Sequence, residues 1–178
     1  MQRLQLAREK YFADNVVFQE GTAHDIPVSK RFNVVFSNSV LHWCEDKNKV
    51  FKQVAKCLDQ GGKFGYVTPN NFSVEKQFCT PSDMLSSECR QHMIKRSQIP
   101  NSDYLQNLAS NNGFVTIYSK EHVREWKFEN VYKLIEFHVT HVHEFSFEHY
   151  NVEAMKRHYG EGEIVFKMSY TTAVLINS

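Results

Sequence analysis

The sequence predicts an α/β fold built on a parallel strand–helix–strand unit, and three observations predict it. Residues 32–37 (FNVVFS) are a near-continuous apolar run, the pattern of a parallel strand buried on both faces. Residues 47–59 follow, with Val50, Phe51, Val54, Cys57 and Leu58 on one helical stripe. Gly61 and Gly62 then lead into a second strand pattern at residues 63–68. Residues 32–68 therefore read as a strand–helix–strand crossover, which should be parallel and right-handed.

The other elements follow in order. In residues 2–13, Leu4, Leu6, Ala7 and Tyr11 lie on or near one helical stripe, with Arg3, Arg8, Glu9 and Lys10 largely outside it. Asn15 breaks that helix, and Val16, Val17 and Phe18 form a short strand ending at Glu20 and Gly21. Asp46 is placed to cap the helix at 47–59. Gly61 and Gly62 supply the positive-φ residues expected to end it. Residues 73–98 are polar and irregularly periodic, with Met84, Leu85, Met93 and Ile94, and read as one or two helices. Ser102 or Asp103 caps a helix running to about Asn111, which Asn112 and Gly113 terminate. Residues 114–119 form a strand, with a continuation through Val123 to Phe128 as the longer alternative. Residues 130–143, with Val131, Leu134, Ile135 and His138 at helical spacing, and residues 147–159 are helices. A turn at 160–162 precedes a last, β-rich segment, 164–176. No repeat, linker or low-complexity tract divides the chain, so residues 1–178 read as a single domain.

Composition narrows the function. With 42% hydrophobic and 23% charged residues the chain is ordinary globular material rather than disordered. A net charge near +1, with Lys and Arg mixed among Asp and Glu, offers no electrostatic case for nucleic acid or an anionic membrane. No apolar run approaches the roughly 20 residues that span a bilayer, and the charged N-terminal pattern lacks the apolar core of a signal peptide. Cys44, Cys57, Cys79 and Cys89 contain no C-x-x-C pair, so free thiols in a cytoplasmic protein are expected.

Four stretches, LAREKY at 6–11, EGTAHDIP at 20–27, FNVVFSNSVLHW at 32–43 and LDQGGKFGYVTPN at 58–70, together resemble class I S-adenosylmethionine (SAM) dependent methyltransferases. Residues 6–11 (LAREKY) look like the helix that follows the acidic residue gripping the SAM ribose. Residues 20–27 (EGTAHDIP) match the family's G-D-A-x-x-L-P segment, where an acidic side chain and the next backbone N–H clamp the adenine edge. Thr22 stands in place of the usual Asp, Ala23 keeps the backbone donor, and Asp25 could substitute in a shifted turn. A hydroxyl can still accept, but without charge assistance. Residues 32–43 (FNVVFSNSVLHW) resemble the fourth strand and its loop, which implies Asn38 and Ser39 near the cofactor and His42 and Trp43 near the transferring methyl and the substrate. The L-H-W ending is similar to that of small-molecule carboxyl methyltransferases of the trans-aconitate and juvenile-hormone-acid type. Residues 58–70 (LDQGGKFGYVTPN) are similar to the L-K-P-G-G turn and fifth strand, with Gln60 where Pro is usual.

Residues 104–119 and 170–177 resemble the family's helix into the sixth strand and its closing antiparallel strand. The resemblance implies a Rossmann-like α/β fold with a mostly parallel sheet and an antiparallel last strand, SAM as cofactor, a small-molecule acceptor, and helical cap insertions at about 71–100 and 129–160. The family's E/D-x-G-x-G-x-G loop and its ribose-binding acid are expected before residue 1, since no such loop occurs in the chain. A fold incomplete at its N-terminus would leave strand 32–37 as an exposed apolar edge, open to a protein partner or to self-association.

Other residues admit several readings. His42 suits a catalytic base or a substrate-orienting group. Methyl transfer to a carboxylate needs no base, because the nucleophile is already ionised. Trp43 suits packing equally well. His138, His141, His143 and His149 invite a metal reading, but His143 lies on a different helical face from His138 and no acidic partner is evident, so no metal is expected. Phe128, Tyr132, Phe137, Phe145, Phe147 and Tyr150 fit either an acceptor pocket or ordinary core. The leading function is SAM-dependent methyl transfer to a small-molecule carboxylate. The alternative is a non-catalytic methyltransferase-like remnant that binds or regulates a partner, with a histidine–metal hydrolase third.

Overall fold

The computed structural model describes residues 2–27, 29–70, 83–96, 101–141 and 146–178. Among them β1 (Phe32–Asn38), β2 (Leu58–Pro69), β3 (Phe114–Phe128) and β4 (Ile164–Asn177) form one sheet in the order β1-β2-β4-β3. The first pair is parallel and the other two are antiparallel. The expected architecture stands: β1, β2 and β3 run in one direction and only the last strand, β4, runs against them, its two antiparallel pairings making the sheet mixed. Residues 16–20, expected as a further strand, adopt no strand, and Val16 and Val17 are exposed. An extended segment without an adjoining edge has nowhere to place its backbone hydrogen bonds except in water.

Helix α1 (Gln2–Lys10) is shorter than expected, and Arg8 Nη2 donates to the Phe18 carbonyl at 2.9 Å. Helix α2 (Lys47–Cys57) starts at the predicted cap, where Asp46 accepts from the Lys49 N–H at 2.9 Å. It ends without help from Gly61 and Gly62, because Leu58 is already extended and opens β2. The glycine pair instead lies within β2. Phe32 pairs with Leu58, the next paired residue Val34 faces Lys63, and the residues between bulge. Gly61 has a φ of 75°, and a Cβ on Gly62 would lie 2.8 Å from the Asp59 carbonyl oxygen and 3.2 Å from that of Phe32. Only glycine suits both positions.

Helix α3 (Ser87–Arg96) lies in the first expected cap region, of which residues 71–82 and 97–100 fall outside the described residues. Helix α4 (Ser102–Asn111) is capped by Asn101, one residue before the predicted caps, its side chain accepting from the Tyr104 N–H at 2.8 Å. Helix α5 (Val131–His141) occupies the expected span up to the undescribed residues 142–145. The helix expected over 147–159 is split into a 3-10 turn, Phe147–His149, and α6 (Val152–Tyr159). Asn151, extended and accepting from the Ala154 N–H at 3.1 Å, makes that break.

Two cores result. In the first, α2 and α4 pack on β2, β4 and the start of β3, with Leu41, Phe51, Phe64, Tyr66, Leu105 and Leu175 buried together. Phe51 packs edge-on to Phe64 at 5.5 Å and to Phe114 at 6.0 Å. In the second, α3, α5 and α6 pack on the far half of the β3–β4 ribbon through Cys89, Leu134, Ile135, Met155, Ile164 and Phe166. Along β4 the even-numbered residues 164 and 166 are buried in the second core, and the odd-numbered 173 and 175 in the first. Successive strand residues face opposite sides, so the two cores lie on opposite faces of one ribbon.

The sheet face opposite α2 carries two rows, Val34–Lys63–Ile176–Val115 and Phe36–Gly65–Val174–Tyr118, apolar apart from Lys63. Val34 and Phe36 are 62% and 63% exposed. Phe36 lies over Gly65, where a Cβ would come within 3.1 Å of its ring. The run 32–37 is thus the exposed apolar edge expected above, and the pattern of burial on both faces does not hold, since the hydrophobic residue it packs on the first core is the partly buried Val35.

Candidate functional site

The parallel pair brings the carboxyl ends of β1 and β2 to the same rim, the place where open α/β sheets form ligand crevices. Asn38 pairs with Val67, and the Ser39 N–H donates to the Val67 carbonyl at 2.8 Å. Ser39 has a φ of 55°, the only described non-glycine residue at positive φ, and it turns the chain sharply out of the strand. The Ser39 hydroxyl is 3.5 Å from Asn38 Oδ1. The chain then winds into a 3-10 turn, Leu41–Trp43, anchored by Leu41 in the first core.

In that turn His42 is 7% exposed and Trp43 is 44% exposed, their rings 4.6 Å apart. His42 Nδ1 is buried without a hydrogen-bond partner among the described residues. Burial, and then the positive charge of Lys47, pull the His42 pKa down to about 4. Lys47 is itself buried, its Nζ donating to the Cys44 carbonyl at 2.8 Å, and burial lowers its pKa. His42 is therefore a neutral imidazole at ordinary pH, able to orient a ligand but too weakly basic to be a strong general base.

Thr22, Ala23 and Asp25 form a tight turn. The Asp25 N–H donates to both the carbonyl and the hydroxyl oxygen of Thr22, each at 3.1 Å. The hydroxyl thus already serves its own turn, while the Asp25 carboxyl side is exposed. Ala23 packs against the cluster that holds Leu41 and Cys44, so a shared core brings the turn and the β1 loop together. His24 Nε2 is buried without a partner among the described residues.

Sequence reasoning missed a polar chain beside this rim. Asn70 and Thr68, at the end of β2, are both 0% exposed. Asn70 Nδ2 donates to Thr171 Oγ1 at 2.8 Å, Thr171 Oγ1 lies 2.8 Å from Ser102 Oγ, and Ser102 Oγ donates to Glu121. The available signal was Thr68 and Asn70 closing the strand, but the Thr171 that Asn70 reaches lies 101 residues away in sequence, positioned by the strand pairing of Thr68 with Thr171 and of Thr171 with Glu121.

Elsewhere, His138 shares a 2.5 Å hydrogen bond with Tyr150 inside the second core, and His149 Nδ1 takes part in the Ser146 cap. His143 and Phe145 lie outside the described residues, as does Cys79. Among the described residues no group of three or more His, Cys, Asp or Glu is placed to hold a metal. A hollow between the far end of β3 and α5 is bordered by Lys133 and by Phe128 and Phe137, two of the aromatic residues that fitted an acceptor pocket, and it includes none of the residues of the β1 loop or the Thr22–Asp25 turn.

These features define an α/β domain of the Rossmann-like class, its candidate crevice at the carboxyl ends of a parallel strand pair. The family profile described as "Methyltransferase domain" matches residues 2–137, and the chain belongs to that family. No curated protein matches it. Solved structures share the fold. A candidate methyltransferase from Bacillus halodurans C-125 is 14% identical with a TM-score of 0.64, the match covering 98% of this chain and 78% of that one. The YcgJ protein from Bacillus subtilis is 18% identical, with a TM-score of 0.58 and coverages of 97% and 75%. The [4+2]-cyclase SpnF, 13% identical with a TM-score of 0.58, aligns over 97% of this chain and 60% of its own. At such identities the likeness is one of fold, and the cyclase is a reminder that this architecture hosts other chemistry.

Proposed function

We propose that the chain takes part in SAM-dependent methyl transfer to a small-molecule acceptor, with a carboxylate oxygen as nucleophile. The observation that carries this reading is the built polar loop, Asn38–Trp43, at the carboxyl end of β1 in a chain of the methyltransferase-domain family. The residues present fit part of SAM. The Thr22–Asp25 turn offers an acceptor and the Ala23 backbone donor for an adenine edge, and Asn38 and Ser39 offer polar groups for the methionine end. The chain contains no G-x-G-x-G loop for the remainder. Bound SAM would supply a sulfonium methyl for in-line displacement. Trp43 and neutral His42 would orient the acceptor, and a carboxylate nucleophile requires no proton removed. The segments around α3, α5 and α6 would act as the cap over that acceptor. Buried Cys44, Cys57 and Cys89 are free thiols and suit a cytoplasmic setting, and no described helix is long and apolar enough to cross a membrane.

A second reading is favoured by the exposed rows on β1, centred on Val34 and Phe36. On that reading the domain serves as a binding partner through the unpaired edge or the apolar face beside it. Calorimetric titration with SAM separates the two. Micromolar affinity supports the transferase, and absence of heat at millimolar SAM overturns it for this chain.

A further inference from the structure

The polar chain beside the rim has only one consistent direction. An ionised carboxylate only accepts, so Ser102 must spend its single hydroxyl proton on Glu121. Ser102 can then only accept from Thr171, which spends its own proton there. Thr171 Oγ1 is left as an acceptor and must face the nitrogen of the Asn70 amide at 2.8 Å. The Asn70 amide orientation, ordinarily ambiguous, is thereby set by a carboxylate three hydrogen bonds away. The Asn70 backbone is pinned as well, its N–H donating to the Ser169 carbonyl at 2.9 Å. The remaining polar atom, Oδ1, is buried and has no partner among the described residues, as is also true of Thr68 Oγ1 one turn of the pleat earlier. A buried carbonyl oxygen without a donor is costly, and this one lies at the strand end where the crevice forms.

We propose that Asn70 Oδ1 is a specificity-determining acceptor for a hydroxyl or amine on the methyl-acceptor molecule, held in place by the relay Asn70–Thr171–Ser102–Glu121. The inference rests on the proposed methyl transfer and narrows its substrate class to small carboxylic acids that carry a protic group near the carboxylate. Asn70 is not asked to touch the transferring methyl. Glu121 is a positioning residue, acting through Ser102 and Thr171, and its replacement by Gln would supply a donor and let the relay run in either direction.

The test is ligand-observed NMR binding of matched pairs of four- to eight-carbon acids, with a hydroxyl or an amine at the second or third carbon against the unsubstituted acid. The expected result is roughly tenfold tighter binding of the protic member, the size of one good hydrogen bond. Which of the two, hydroxyl or amine, carries the preference names the ligand group. Asn70→Ala should bring the pair to equality, and Glu121→Gln should weaken the preference while circular dichroism stays native. Preference for the unsubstituted acids, an unchanged ratio in Asn70→Ala, or no binding by any member overturns the inference. SAM calorimetry on the same protein is read separately, so a failure of the transferase reading is distinguishable from a failure of this subsite.

Discussion

Tyr170 and Thr171 are consecutive on β4 and point to opposite faces, yet both are buried. They mark the place where the strand stops serving one core and begins serving the other. On the Tyr170 side the even-numbered residues meet the helices α3, α5 and α6, and on the Thr171 side the odd-numbered residues meet α2 and α4. Thr171 also carries the middle of the polar relay, so the switch and the crevice rim coincide.

Because the cores sit on opposite faces, mutations in them should act independently. Phe166→Ala in one and Leu175→Ala in the other are each expected to cost about 3 kcal/mol. The double variant should lose the sum within about 0.5 kcal/mol in urea unfolding. A marked departure from additivity would mean that the two cores are one cooperative packing unit.

His42 should make stability depend on pH. Its folded pKa, about 4, lies below the ordinary 6.5, so below 6.5 the unfolded chain binds a proton that the folded one resists. Stability is then fully present above pH 6.5 and declines as pH falls toward 4, by roughly 3 kcal/mol in all. Denaturant unfolding from pH 7.5 to 4.5 should show a slope that His42→Gln largely removes. Equal slopes in the two proteins would refute the buried neutral imidazole.

The caps of the two helices over the first core should carry measurable energy. Asp46→Ala and Asn101→Ala each remove an acceptor from a helix N-terminus and should cost about 1 kcal/mol. The corresponding Ser variants should recover most of it, and failure of that rescue would point to a different cause.

The apolar rows on the open sheet face should drive association. Sedimentation velocity over a hundredfold concentration range is expected to show self-association that Val34→Lys and Phe36→Lys each reduce. A wild-type chain that stays monomeric throughout would leave the second functional reading without support.

Thr22→Asp should strengthen SAM binding if the turn holds the adenine edge. A charged acceptor replaces a neutral one, and about five- to tenfold tighter binding by calorimetry is expected. An unchanged or weaker affinity would remove Thr22 from the cofactor site.

The local elements that the sequence predicted well are those whose stabilising contacts are close in the chain. Asp46 reaches Lys49, three residues on, and the stripe from Val50 to Leu58 declares its own buried side. The β1 loop was legible for the same reason, since Asn38 to Trp43 follow directly from the strand that places them. Gly61 and Gly62 were misread because a helix stop and a strand bulge both ask for positive φ, and only the pairing of Phe32 with Leu58 and Val34 with Lys63 decides between them. Residues 16–20 were misread because strand propensity needs an adjoining edge before it becomes a strand.

By itself, then, the sequence determined the α/β class, the strand–helix–strand unit and the polar loop at its rim, all of which rest on contacts within a few dozen residues. Tertiary structure alone decided three things: the mixed strand order, the change of buried face at Tyr170 and Thr171, and the relay from Glu121 to Asn70. The physical reason is that these depend on which distant backbones hydrogen-bond in which register, and a shift of one residue would turn every one of those side chains to the other face.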